Sequence, residues 1–123
     1  MKVLVVEDNY YARDIVTRRL TRYGYQVIPA TNGARCLQLA HTERPDLILL
    51  DMRLPDLSGL EVAQKLRAEP DTCHIPIIAM TAYEVEESRE QALAAGCEDY
   101  ESKPLDFDRL MKKISLLLGQ SSP

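Results

Sequence analysis

Residues 46–59 read DLILLDMRLPDLSG, an apolar run that stops abruptly on a carboxylate. Leu47 to Leu50 are uninterrupted apolar residues, as in a short strand covered on both faces. They lead straight into Asp51, and the chain then turns through Pro55 and restarts at Ser58. Ser58-Gly59-Leu60-Glu61 has capping-box spacing, with Val62, Ala63 and Leu66 following at helical spacing. The stretch is one strand–turn–helix unit with an acid at the strand's carboxyl end.

The same unit recurs on either side. Val3 to Val6 is another continuous apolar run, and Ala12, Ile15, Val16, Leu20 and Tyr23 then fall on one helical face before Gly24 stops the helix. Tyr25 to Ala30 reads as a strand whose Pro29 places it at a sheet edge. Asn32-Gly33 opens a second helix through about His41. Beyond the central unit, Ile75 to Met80 is a fourth strand with Pro76 in its first turn. A fourth helix covers about Glu84 to Ala95, stopped by Gly96, and a short fifth strand precedes Lys103-Pro104. Phe107, Leu110, Met111, Ile114, Leu117 and Leu118 form the strongest helical stripe, on a fifth helix. Five successive βα units with right-handed crossovers predict an α/β fold: a doubly wound parallel sheet with helices on both faces.

Composition sets the outer limits. With 123 residues, 46% of them hydrophobic and 28% charged, the chain has the size and balance of one globular domain. We assign residues 1–119 to that domain and 120–123 to a tail. A net charge of −4 gives the chain no electrostatic footprint for nucleic acid, so no direct nucleic-acid contact is expected. Cys36, Cys73 and Cys97 are widely spaced, without a CxxC pair or metal-ligand spacing, and are read as reduced thiols of a cytoplasmic protein. The apolar start reaches Glu7 and Asp8 too soon for a signal peptide, and no run approaches membrane-spanning length.

In an open parallel sheet, sites form beyond the carboxyl ends of the strands. That rim receives Glu7 and Asp8 from the first strand, Asp51 from the third, Thr81 from the fourth and Lys103 from the fifth. Each has an ordinary reading alone: a helix cap at Asp8 or Asn9, a strand-end hydroxyl at Thr81, a solvated lysine at Lys103. Together they mean more. Three acids on one rim repel unless a cation joins them, and oxygen-only ligands favour a hard ion such as Mg²⁺. A cation, a lysine and a hydroxyl around a carboxylate make an electrostatic cradle for a phosphoryl group, with Asp51 as the nucleophile.

From roughly Lys2 to Leu118 the sequence resembles the receiver domains of bacterial two-component response regulators. The resemblance rests on VLVVEDN, LILLDMRLPDLSG, IPIIAMTA and DYESKP, in that order and on the predicted strand ends. It implies a flavodoxin-like (βα)5 sheet of strand order 2-1-3-4-5. It further implies that Asp51 is the phosphoacceptor. Glu7, Asp8, Asp51 and the backbone carbonyl of Arg53 would hold Mg²⁺, or Mn²⁺ in its place. Thr81 and Lys103 would contact the phosphoryl group, the bond before Pro104 would be cis, and Thr81 and Tyr100 would be the moving parts of the switch. The implied donor is a phosphohistidine on a sensor histidine kinase or histidine phosphotransfer protein. The implied output is a downstream protein bound by the fourth helix, fifth strand and fifth helix, either from a stand-alone receiver or from the N-terminal receiver of a longer regulator. By this reading the chain is a phosphoacceptor signalling domain and not an enzyme acting on other molecules.

Some positions vary in the family. The first acid is Glu7 rather than Asp, and Arg53 and Tyr83 flank the phosphoryl position, where they are read as tuning its lifetime. Glu84, Glu86, Glu87 and Glu90 are read as a solvated helix start before a partner patch. His41 and His74 are read as surface residues, and Tyr10, Tyr11, Tyr23 and Tyr25 as core and rim. A haloacid-dehalogenase-like phosphatase would need a second Asp where Arg53 stands. A receiver-like module that is never phosphorylated would normally lack the acid pair or the lysine, and both are present. A flavodoxin is disfavoured by the acidic turn Glu7-Asp8-Asn9, which would repel a flavin phosphate, and no glycine-rich phosphate loop occurs.

Overall fold

A computed structural model of the chain describes residues 1–82 and 86–119. Within them strands and helices alternate as β1 (Lys2–Val6), α1 (Tyr10–Arg22), β2 (Gln26–Ala30), α2 (Gly33–Glu43), β3 (Leu47–Asp51), α3 (Gly59–Ala68), β4 (Ile77–Thr81), α4 (Glu86–Ala94), β5 (Asp99–Ser102) and α5 (Phe107–Leu117). The strands form one parallel sheet in the order β2-β1-β3-β4-β5, the flavodoxin-like order. Pro29 lies in edge strand β2, where its missing N–H leaves no gap between two neighbours.

The apolar runs are continuous because alternate residues serve two cores. Leu4, Val6, Ile48, Leu50, Ile77 and Ala79 point to one face, against Cys36, Leu39 and Ala40 of α2, Val62 and Leu66 of α3, and Ala92 of α4. Val3, Val5, Leu47, Leu49, Ile78 and Met80 point to the other, against Val16 and Leu20 of α1 and Leu110, Met111 and Ile114 of α5. Helices α1, α2, α3 and α5 begin on side-chain caps: Asn9 accepts from Ala12 N, Asn32 from Arg35 N, Ser58 from Glu61 N and Asp106 from Arg109 N.

Four local expectations shift. Ile75 is buried but precedes β4: its amide bonds Thr72 O at 3.1 Å in a turn, and the ladder starts at Ile77. Helix α2 runs two residues past His41, to Glu43, and ends on Arg44 in the left-handed region at φ 47°. Ile15 and Tyr23 share the helical spacing of α1, yet each is about half exposed, at 49% and 50%. Of the four tyrosines read as core and rim, Tyr25 alone is core, while Tyr10, Tyr11 and Tyr23 are exposed. His41 and His74 lie on the surface as expected, and all three cysteines are free thiols. No helix among the described residues is long and apolar enough to cross a membrane.

Candidate functional site

Parallel pairing brings the strand ends to one edge. Val6 pairs with Leu50, Asp51 with Met80, and Thr81 with Ser102, so residues from β1, β3, β4 and β5 converge. The Lys103 amide then donates to Thr81 O at 2.7 Å, which holds the end of β5 against the end of β4. The peptide bond between Lys103 and Pro104 is cis.

The Lys103 ammonium donates to Glu7 Oε1 at 2.5 Å and to Asp51 Oδ2 at 3.0 Å. Glu7 and Asp51 are buried, whereas the adjacent Asp8 is exposed. The other oxygens are also used: Asp51 Oδ1 accepts from Arg53 N at 2.9 Å, and Glu7 Oε2 from Asn9 N at 3.3 Å. Carboxylate oxygens of Glu7, Asp8 and Asp51 all lie within 4.8 Å of one another. Three hard oxygen donors at that spacing, two of them buried, fit a hard divalent cation such as Mg²⁺.

Burial pushes the Glu7 carboxyl up to about 7, and the neighbouring Asp51 carboxylate adds to the rise while Lys103 opposes it. Burial also disfavours the Lys103 ammonium, but Glu7 and Asp51 outweigh it and hold this amine above its ordinary range. The site is thus a lysine clamped between two buried acids, with a third acid at the solvent edge.

Thr81 is buried on the same rim. Tyr100 is half-buried on β5, with the Arg89 guanidinium 5.7 Å and the Lys113 ammonium 5.6 Å from its ring centre. Arg53 lies exposed beside Asp51. Tyr83, Glu84 and the 120–123 tail lie outside the described residues. Beside Lys103 a groove of about 270 Å³ opens between α1 and the start of α5, lined by Ala12, Ile15, Val16, Pro104, Leu105 and Phe107.

Two residues at the site carried no signal in the linear pattern. Arg13 donates to the carbonyls of Glu7 and Asp8 at 2.9 and 3.4 Å, fixing the acidic turn from α1. Asp56, past the Pro55 turn, accepts from the amides of Gly33 and Ala34 at 2.8 and 2.9 Å. An aspartate after proline reads only as a turn; a partner 23 residues earlier leaves no local trace.

Comparison with known proteins places this geometry in context. Residues 3–115 match the response regulator receiver domain family. The polar-differentiation response regulator DivK of Brucella anthropi is 40% identical over 119 residues, covering 97% of each chain. The receiver domain of sensor histidine kinase PA1611 from Pseudomonas aeruginosa, solved with a magnesium ion coordinated in its active-site cleft, superposes with a TM-score of 0.89 at 34% identity. That alignment covers 97% of this chain and 98% of that one. The BeF3-activated N-terminal receiver domain of RstA from Klebsiella pneumoniae gives a TM-score of 0.90 at 27% identity, covering 98% of this chain and all of the other.

Proposed function

Because the chain belongs to the response regulator receiver domain family, we propose that it accepts a phosphoryl group on Asp51 from a phosphohistidine and relays the change through α4, β5 and α5. One observation carries the reading: Asp51 ends β3 buried beside Glu7, with Lys103 donating to both and Asp8 completing an oxygen cluster. An Asp51 oxygen attacks phosphorus in line as the P–N bond of the donor histidine breaks, and the departing imidazole keeps the electron pair. Lys103 carries positive charge to the phosphoryl oxygens, and the Arg53 amide orients the attacking carboxylate. Glu7, Asp8, Asp51 and the Arg53 carbonyl would hold Mg²⁺, which when bound would neutralise charge on the phosphoryl oxygens. Water later attacks phosphorus, releases phosphate and regenerates the carboxylate.

The donor is a sensor histidine kinase or a histidine phosphotransfer protein, and the apolar groove beside Lys103 is surface such a protein would cover. Phosphorylated Asp51 can accept a bond from the Thr81 hydroxyl, drawing it inward and changing the space open to Tyr100. A contact made in one state alone is what biases such an equilibrium. Arg53 borders the approach of water and, by crowding it, lengthens the phosphorylated state. The test is to incubate the chain with Mg²⁺ and acetyl phosphate and locate the label. Wild type gains one phosphoryl group and Asp51→Asn gains none; undiminished labelling of the variant refutes the assignment.

A further inference from the structure

We infer that Asp56 is a positioning residue for the phosphoryl-accepting centre: it pins the loop of residues 52–58 to the amino end of α2 and thereby fixes the Arg53 backbone. The inference rests on the proposed role of that backbone at Asp51 and the cation. The loop leaves β3 directly after Asp51 and returns at α3. Its base is closed by Gly59 N donating to Met52 O at 3.1 Å and by a bridge between Arg53 and Ser58. In the outer part, Leu54 and Leu57 are partly buried against the core, an apolar contact that sets depth but not direction.

The polar, directional hold comes from α2. Asn32, its own cap, takes the Arg35 amide, and the Asn32 carbonyl takes the Cys36 amide. The Gly33 and Ala34 amides go to the two oxygens of Asp56, one each. A carboxylate with one bond per oxygen at the positive end of a helix fixes orientation as well as distance. These bonds hold the Asp56 carboxyl below the usual carboxylate range. Packing agrees with the anchor. A Cβ on Gly33 would lie 3.0 Å from Leu57 Cβ and 2.9 Å from Val62 Cγ2, so the first residue of α2 sits directly on the loop and on α3. Arg53, three residues before Asp56, donates its amide to Asp51 Oδ1.

Capping α2 for stability alone would give the same two bonds, so the variants must separate stability from position. Asn32→Ala removes a cap from the same helix without touching the loop; Asp56→Ala removes the loop's anchor; Asp56→Asn keeps one acceptor oxygen. Mg²⁺ dissociation constants come from calorimetry, melting temperatures from thermal scans, and the Arg53 amide from its ¹⁵N shift and hydrogen exchange in metal-free protein. Asp56→Ala should weaken Mg²⁺ about tenfold, as loss of an outer partner of a metal site does. Asp56→Asn should fall between it and wild type. Asn32→Ala should lower the melting temperature yet bind Mg²⁺ as wild type does. Asp56→Ala should also move the Arg53 amide shift and speed its exchange. Unchanged Mg²⁺ affinity and an unmoved Arg53 amide in Asp56→Ala overturn the inference, as does equal weakening by Asn32→Ala. Wild type that binds no Mg²⁺ would instead sink the metal reading, while the Arg53 amide still decides whether Asp56 sets the loop.

Discussion

Glu7 makes the metal-free protein less stable as pH rises, and the size of the effect follows from its surroundings. Its carboxyl is 2% exposed and titrates near 7 rather than at the ordinary 4.5, because burial and Asp51 both penalise the charged form. For an acid raised in the folded state, the stabilising contribution is complete below the unfolded value and is lost as pH climbs through the folded one. Evaluating the linkage relation between about pH 5.5 and 8.5 gives a loss of about 2 kcal/mol. For a domain of this length that is a fall of roughly 7 °C in melting temperature. The assay is urea or thermal unfolding in chelator across that window. Glu7→Gln cannot ionise at this position, so its profile should lack the 2 kcal/mol slope and serve as the baseline for every other titrating group. Excess Mg²⁺ should reverse the wild-type trend, because the ion binds the ionised acids and its stabilisation grows with pH. A wild-type slope matching that of Glu7→Gln in chelator would refute the placement of a strained buried acid here.

Two further substitutions test the frame that holds the site. Arg67 of α3 donates to the carbonyls of Gly96, Cys73 and Ile75 and to Glu98, tying the loop before β4 to the loop before β5. Arg67→Ala strands those carbonyls and should cost about 3 kcal/mol in urea unfolding, with acetyl-phosphate labelling of the folded fraction unchanged; a cost near zero contradicts the strap. A Cβ on Gly59 would stand 2.6 Å from Met52 Cα and 2.7 Å from Asp51 O, both backbone atoms that cannot swing away. Gly59→Ala should therefore lose about 2 kcal/mol and slow labelling of Asp51, and a variant with wild-type stability and rate would show that the approach is not tight.

The βα rhythm was legible because a doubly covered strand must be apolar at every position, and LILL and VLVV can scarcely be read otherwise. The same rule misplaced the start of β4. Ile75 is as apolar and as buried as its neighbours, but its amide closes a turn on Thr72, and no pattern of side chains records where an amide points. The stripe on α1 failed for a related reason. Ile15 has the spacing of a core residue, yet α1 does not press it into the core. It faces the groove beside Lys103 and Phe107, leaving it half exposed. Hydrophobic spacing reports which side of a helix is apolar, and stays silent on how much of that side another element covers.

At the site, the gathering of Glu7, Asp8, Asp51, Thr81 and Lys103 on one rim follows from topology alone, since parallel strands end together. What each carboxylate experiences does not. Glu7 and Asp8 are adjacent acids of nearly equal intrinsic strength, and in the sequence they form a pair. In the folded chain Glu7 turns into the protein to meet an ammonium 96 residues away, while Asp8 faces solvent. That one-residue difference in direction makes Glu7 the acid whose charge is costly, and leaves Asp8 the accessible oxygen of the cluster. The role proposed for Lys103 as a phosphoryl contact then carries a cost. Before any phosphoryl group arrives the lysine already bridges Glu7 and Asp51, so a phosphoryl oxygen must compete with the two acids for its protons. A cation held by those same acids would weaken their grip on the ammonium. By this reasoning a cation and the proposed phosphoryl group would draw on the same pair of carboxylates, and Lys103 would reach a phosphoryl oxygen at the expense of its bonds to Glu7 and Asp51.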